Sequence, residues 1–352
     1  MSEPPELNCP LPLGQYERIV MAHGGGGQLM QQLLDRLVQP AFDNPYLADR
    51  HDSAVFESGG LRYAFTTDSY VVKPLFFPGG DIGRLAVCGT LNDLAMAGAR
   101  PLFLSAALII EEGLPVESLQ RVLESMAATA RAAGVAVVTG DTKVVERGRG
   151  DGLYINTAGI GLIADGTPAI HPAAVVPGDV ILVNGDLGRH GIAIMAQREG
   201  LALETTIESD CADLSGLVRC LLDAGIQLHC LRDLTRGGLA SALIEIAEAA
   251  GVGIQLEESA IPVHAAVNGV CEILGFDPLY VANEGRFAVF LPEAQAGSAL
   301  ARLREHPLGG SAAIIGRVTA GSTPLAPVQL RTAYGTERLL MRLSGEQLPR
   351  IC

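Results

Sequence analysis

Five aspartates, a run of glycines, a lysine, a glutamate and a final cysteine are the residues of this sequence whose types and spacing suit chemistry. Asp68 closes the stretch AFTTD, and Asp141 closes VVTGD. Asp93 lies in a run of small residues (NDLAMAGA), Asp52 in HDSAV, and Asp233 just before Thr-Arg-Gly-Gly. Magnesium takes oxygen ligands, usually a few carboxylates plus substrate phosphates. Aspartates at strand ends beside glycine turns gather on one edge of a sheet. Each alone reads as a cap or turn residue. At Asp93 an unpaired carboxylate among small residues would be costly; the five together read as a metal site, because two acidic strand ends in one domain are harder to assign to turns alone. The run His23 to Gly27 (HGGGG) offers backbone amides ahead of a helix. That arrangement suits phosphate and equally suits a flexible loop. Lys143 is placed either to neutralise phosphate and move a proton or to sit in solvent. Glu284, in VANEG, is either a base or a turn residue. Cys352 ends a segment (SGEQLPRIC) that reads as a mobile arm. A thiol there can reach into another protein's site or its own, with Arg350 favouring the thiolate and the terminal carboxylate opposing it; the alternative is a frayed end without a role.

The elements that must position these residues follow from periodicity. Leu29, Leu33 and Leu37 recur at helical spacing after the glycines. A strand is expected over Leu61–Thr67, a helix from about Asp81 to Ala97, and a buried strand over Leu102–Ile109. Pro115 to Gly134 carries the start and stop signals of a long helix. Val135–Thr139 reads as a strand closed by Gly140-Asp141, and Leu153–Ile163 as another. The stretch Asp165–Gly178 is rich in Pro, Gly and Ala without helical period and marks a domain boundary. Strands and helices alternate beyond it, with clear helices near Gly238–Ala250 and Glu293–His306. The expected fold class is therefore α/β (or α+β) in two domains, 1–165 and 166–343, followed by a tail, 344–352. Up to about Pro12 the chain reads as a loose arm.

Composition narrows the function. The chain has 352 residues, a length for about two domains. Hydrophobic residues make up 48% and charged residues 18%, which provides for large cores and argues against disorder. The longest apolar run, Ser105 to Ile110, is far too short to span a bilayer, so no membrane is expected. The acidic, Pro-rich start is not a signal peptide. A formal net charge of −14 argues against nucleic acid but leaves room for a nucleotide held by glycine amides and a metal ion. The cysteines are Cys9, Cys88, Cys211, Cys220, Cys230, Cys271 and Cys352; their odd number, scatter and lack of a CxxC pair fit a reducing cytoplasm. No Walker loop, GxSxG elbow or paired-histidine zinc motif occurs.

In combination, HGGGGQLMQQLL, FTTDSYVVKPLFFPGGDIG, NDLAMAGA, TGDTKVV, RDLTRGGL, NEG and the terminal PRIC resemble the HypE family of hydrogenase maturation factors. The resemblance runs from about Ile19 to Cys352. That family shares an ATP-using superfamily with aminoimidazole ribonucleotide synthetase, thiamine-monophosphate kinase and selenophosphate synthetase. The resemblance implies a homodimer whose N-terminal domains build a β-barrel core flanked by helices, with a layered α/β C-terminal domain. It implies ATP and magnesium (Mg2+) between the domains, near Asp52, Asp68, Asp93, Asp141 and Asp233, under the loop Gly24, Gly25, Gly26 and Gly27. It implies that Cys352 receives a carbamoyl group from the carbamoyltransferase HypF. The group is then dehydrated to a thiocyanate, and its cyanide passes to iron on the HypC–HypD complex, toward NiFe hydrogenase. Lys143 and Glu284 are the implied proton-transfer residues. Many superfamily members carry two adjacent acids where this chain has His51-Asp52. The chain also lacks the reactive Cys and Lys that selenophosphate synthetases carry near the N-terminus. A small-molecule kinase of the same superfamily and a cysteine-presenting scaffold without ATP chemistry are the competing readings.

Overall fold

The computed structural model describes residues 18–200, 206–321, 327–343 and 350–352. The expected N-terminal arm and residues 344–349 of the expected tail lie outside them. Fourteen strands occur among the described residues: β1 (Ala54–Ser58), β2 (Leu61–Tyr70), β3 (Phe76–Phe77), β4 (Gly80–Asp81), β5 (Ala99–Glu111), β6 (Ala136–Val145), β7 (Leu153–Ile163), β8 (Asp179–Val183), β9 (Cys230–Asp233), β10 (Gly253–Glu257), β11 (Phe287–Pro292), β12 (Ala313–Thr319), β13 (Val328–Arg331) and β14 (Glu337–Leu340). They make a mixed α/β fold.

The first sheet has the order β1-β2-β7-β5-β6. All its pairings are antiparallel except β5 with β6, which are parallel and joined through the helix Val116–Ala132. That helix and Ile82–Met96 pack on one face. Side chains alternate along a strand, so Ala64, Thr66 and Tyr70 of β2 are buried beneath the helices, whereas Phe65, Thr67 and Ser69 point to the other, open face. Phe65, Phe103 and Ile109 are exposed there.

The helix Ile82–Met96 joins the two halves. Asp81 caps it, accepting from the amides of Gly83 and Arg84. Of its residues only Arg84 and Asp93 escape full burial, because its small residues let it be gripped from all sides. A Cβ at Gly89, for instance, would overlap the Tyr70 hydroxyl. Its Asn92 side chain donates to Ala212 O (3.1 Å) and accepts from Leu214 N (2.8 Å), tying it to the loop ahead of the helix Ser215–Asp223.

The second sheet has the order β14-β13-β10-β12-β8-β11-β9. Its central strands β8 and β11 are buried on both faces. Ile181, Val183, Ala288 and Phe290 enter a core with the helix Gly238–Ala250. Val180, Leu182, Phe287 and Val289 enter another with Ser215–Asp223 and Ala296–Glu305. Strands covered on both sides read as continuous apolar runs, as these do. No helix among the described residues is long and apolar enough to cross a membrane.

Two expectations change. The amphipathic helix after the glycines begins as Gln28–Leu33 but passes into a π-helical stretch, Leu34–Val38, before Gln39–Ala41. A π-turn advances the chain's phase, and the leucine stripe is lost: Leu29 is buried and Leu37 is exposed. The strand expected to close at Gly140-Asp141 instead runs on to Val145, carried by Thr142, Val144 and Val145.

Candidate active site

Four of the five aspartates converge from different elements. Asp93 comes from the helix Ile82–Met96, Asp68 from β2, Asp52 from the loop before β1, and Asp233 from the end of β9. Asp93 is held well above the ordinary carboxylate range by burial, then by Asp233, Asp52 and Asp68. Its Oδ2 accepts from Thr66 Oγ1 at 2.7 Å. Burial likewise raises Asp68, Asp52 and Asp233, the last also through Asp52. Such mutual destabilisation is characteristic of carboxylates awaiting a cation. Asp52 is partly neutralised: Arg232 Nη1 stands 3.1 Å from its Oδ1. His51 beside it is held down to about 3, chiefly by burial and then by Arg232, and so stays neutral.

No three His, Cys, Asp or Glu among the described residues form a ready-made metal cage. The donor set still fits magnesium, whose sites usually combine one or two carboxylates with substrate phosphates. Asp52 Oδ2 and Glu284 Oε1 are buried and accept no hydrogen bond among the described residues, leaving lone pairs for an incoming cation or proton. Asp52, Asp233, Thr235 and Arg236 line a cleft of about 130 Å³.

Beside this cleft opens a cavity of about 800 Å³, of the size that takes a nucleotide-scale ligand. Gly24, Gly25, Ser69, Arg236 and Cys352 are among its lining residues. The glycine loop is shaped by what it packs on. Gly26 has φ +74° and a side chain there would crowd Arg236, while one at Gly27 would overlap the Leu343 carbonyl. Arg236 Nη1 in turn donates to Gly24 O at 3.4 Å. The glycines after Arg236 are equally constrained: Gly237 and Gly238 both have positive φ and start the helix Gly238–Ala250 hard against the carbonyls of Leu279 and Val281.

Glu284 is buried and pinned through its backbone. Its amide donates to Asp210 Oδ1 (3.3 Å) and the Gly285 amide to Asp210 Oδ2 (3.2 Å). Burial, then Asp233, Asp68 and Asp210, hold its carboxyl well above the usual range.

Cys352 completes the site. In place of a free arm, the last three residues are docked. Val71 N donates to Cys352 O at 3.1 Å, Lys73 N donates to Arg350 O at 3.3 Å, and Ile351 is buried. The Cys352 thiol is pushed up to about 12 by burial, with Arg236 acting against the shift and Glu284, Asp68 and Asp233 adding to it. The same thiol is the chief influence raising Arg236.

Asp141 and Lys143 are the correction. Within one chain they do not reach this cluster. Both lie on the exposed edge strand β6, with side chains 62% and 68% exposed, ion-paired to each other at 2.7 Å. Asp141 is in register with Ala107 of β5, which is in register with Asn156 of β7 and so with Ser69 of β2. Two strands intervene, about 14 Å at the usual strand spacing, and Asp141 points to the open face. Arg236, Asp210 and Arg232 are site residues that the sequence reading passed over; the Arg of TRGG was the available signal for the first.

Residues 50–163 match the family model of the AIR synthase related protein N-terminal domain, and residues 176–325 match that of the C-terminal domain. The chain is 53% identical over 338 residues to a carbamoyl dehydratase HypE of Rhodobacter capsulatus, covering 96% of this chain and 98% of that protein. Among solved structures, it is similar to that of a HypE–HypF complex, with a TM-score of 0.83, 46% identity, and coverage of 88% of this chain and 99% of that one. It is also similar to a HypE in complex with ATP, with a TM-score of 0.79, 47% identity, and coverage of 95% and 100%.

Proposed function

The chain belongs to the HypE family of carbamoyl dehydratases, and on that premise we propose that it dehydrates an S-carbamoyl group on its own Cys352 to a thiocyanate, using ATP and magnesium. The observation that carries this reading is the docked Cys352, whose side chain lines the same cavity as the glycine loop and interacts electrostatically with Arg236, Glu284, Asp68 and Asp233.

In the reaction the thiocarbamate R–S–CO–NH2 becomes R–S–C≡N; its oxygen leaves with phosphate and its nitrogen gives up two protons. ATP supplies the phosphoryl group that makes the carbamoyl oxygen a leaving group. Asp52, Asp68, Asp93 and Asp233 would hold Mg2+, and Gly24, Gly25, Gly26 and Gly27 would border the phosphates. Arg236 steadies negative charge beside the reacting carbon. Glu284, with Oε1 unpartnered and its backbone fixed, takes a proton from nitrogen.

Loading takes place elsewhere. A thiol held near 12 is neutral at physiological pH, and only the thiolate is a competent nucleophile. Cys352 therefore accepts its carbamoyl group from HypF with residues 350–352 undocked, and returns docked for dehydration. The cyanide then goes to iron on a HypC–HypD complex for NiFe hydrogenase, within the cytoplasm.

Asp141 and Lys143 find a role in a homodimer. The open face of the five-stranded sheet, carrying Phe65, Phe103 and Ile109, is suited to close against a second copy, with strands of both forming a barrel. Each copy's Asp141 and Lys143 would then serve the other's nucleotide, Lys143 also accepting the second nitrogen proton. Residues 1–165 would be the ATP-binding and dimerisation domain and 166–343 the second domain.

The test is the mass of the C-terminal peptide after incubation with HypF, carbamoyl phosphate and ATP. A gain of one carbamoyl followed by ATP-dependent loss of one water is expected; a carbamoyl group that persists with ATP present contradicts the reading.

A second expectation concerns the acids. Their folded-state values lie above the ordinary carboxylate value, so the folded chain binds protons more tightly than the unfolded one. Between the unfolded value of 3.8 and the raised folded values, stability must fall as pH rises. Magnesium should restore it: the melting temperature rises with added Mg2+, and more at higher pH than at lower, because protons and the cation compete for the same carboxyls. Asp93→Asn should flatten this dependence and cut ATP hydrolysis at least about tenfold while the circular dichroism spectrum stays unchanged. Wild-type turnover in that variant would remove Asp93 from the site.

A further inference from the structure

The reacting residue is on the last position of the chain, and the structure shows how that end is gripped. His190, fully buried in the helix Arg189–Arg198, places Nε2 2.8 Å from Ile351 O and Nδ1 2.8 Å from Ser209 Oγ. A carbonyl oxygen only accepts, so Nε2 carries the hydrogen and donates it to Ile351. Nδ1 is then the acceptor of the Ser209 hydroxyl, whose own oxygen accepts from Cys211 N at 3.1 Å. This relay fixes the ring's tautomer and orientation, and burial keeps the ring neutral.

At the other end of the same helix, a little over two turns further along, Arg198 Nη2 donates to Arg350 O (2.7 Å) and to Lys73 O (2.6 Å). Arg350 adopts φ +52°, a left-handed conformation uncommon for a residue with a side chain. Its guanidinium is paired with Asp151, which also holds Lys73 at 2.8 Å. With Val71 N on an oxygen of the Cys352 terminal carboxylate, main-chain oxygens of three successive residues are occupied by donors, and the Ile351 side chain is buried with Phe77, Ile194 and Ala282. Cys352 lines the cavity at the end of this seated segment.

We propose that His190 and Arg198 form a backbone clasp that seats the C-terminal segment and so positions the Cys352 sulfur in the cavity. The importance of that positioning rests on Cys352 being the reacting residue; the clasp itself rests on the hydrogen bonds. His190 is thus a positioning residue. Replacing its ring with an apolar one of similar volume leaves the Ile351 carbonyl buried without a donor, which favours release of the tail.

The test reads the tail directly, with neither ATP nor HypF present. The full chain is treated with a bulky thiol reagent, and modification of Cys352 is timed by mass spectrometry of the C-terminal peptide. His190→Phe is expected to label about tenfold faster than the wild type. His190→Gln, whose side-chain amide can donate where Nε2 did, is expected to label near the wild-type rate. Arg198→Ala, at a half-exposed position, should also label several-fold faster, so the question can be answered even if His190→Phe fails to fold. Wild-type labelling rates in Arg198→Ala, and in His190→Phe where it folds, would overturn the clasp. If the labelling rates change as expected but wild-type protein never loses water from the carbamoyl group, the clasp stands and the proposed reaction falls.

Discussion

Cys352→Ala is expected to give a protein that folds, binds nucleotide and does no dehydration, with its C-terminal peptide gaining no carbamoyl group in the presence of HypF, carbamoyl phosphate and ATP. The effect is complete rather than partial because, in the proposed reaction, the substituted atom is itself the substrate's point of attachment. The docking hydrogen bonds of Ile351 and Cys352 are made to main-chain oxygens, so alanine should still be seated and the fold undisturbed. A superfamily kinase acting on a free small molecule would ignore this substitution. A peptide from the Cys352→Ala variant that still gains and dehydrates the group would refute the assignment of the tail.

Glu284→Gln is expected to separate the two halves of the reaction. Its peptide gains the carbamoyl group normally, because the proposed loading by HypF does not use Glu284, and then keeps its water. Removing a general base typically costs a factor of about 10² to 10⁴, so the S-carbamoyl form should accumulate to the point of being the main species. The exchange preserves shape. Asp210 holds the backbone on either side of the Glu284 side chain through the Glu284 and Gly285 amides, and those bonds are untouched. Replacing a carboxyl that burial and three neighbouring acids hold above its ordinary range should leave the melting temperature at pH 7 equal to the wild type's or higher. Dehydration at the wild-type rate would exclude Glu284 as the base.

The convergence of Asp52, Asp68, Asp93 and Asp233 was readable because each lies in or beside a periodic element, and alternating strands and helices bring such positions to one edge. Burial patterns over Leu153–Ile163 and Gly238–Ala250 were equally plain. Asp141 was not, because Gly140 reads as a turn. The structure shows another reason for that glycine: a side chain there would overlap the Ala106 carbonyl on the neighbouring strand. Close approach and chain reversal call for the same residue, and one sequence does not separate them. His190 was illegible for a different reason. A single histidine on an apolar helix has the pattern of an ordinary core residue, and its partner, the Ile351 carbonyl, is 161 positions away. The docked tail escaped notice because main-chain carbonyls recognise no side-chain type, so PRIC carries the reactive atom without advertising what holds it.

The near-total burial of the helix Ile82–Met96 has a consequence for timing. An element gripped by the first sheet, by the helix Val116–Ala132 and by the second half of the chain has no small opening available to it; it comes apart only when the molecule does. Asp93 rides on that helix. The acid at the centre of the cluster is therefore set on the slowest clock in the protein, and holds its place whatever the surrounding loops do.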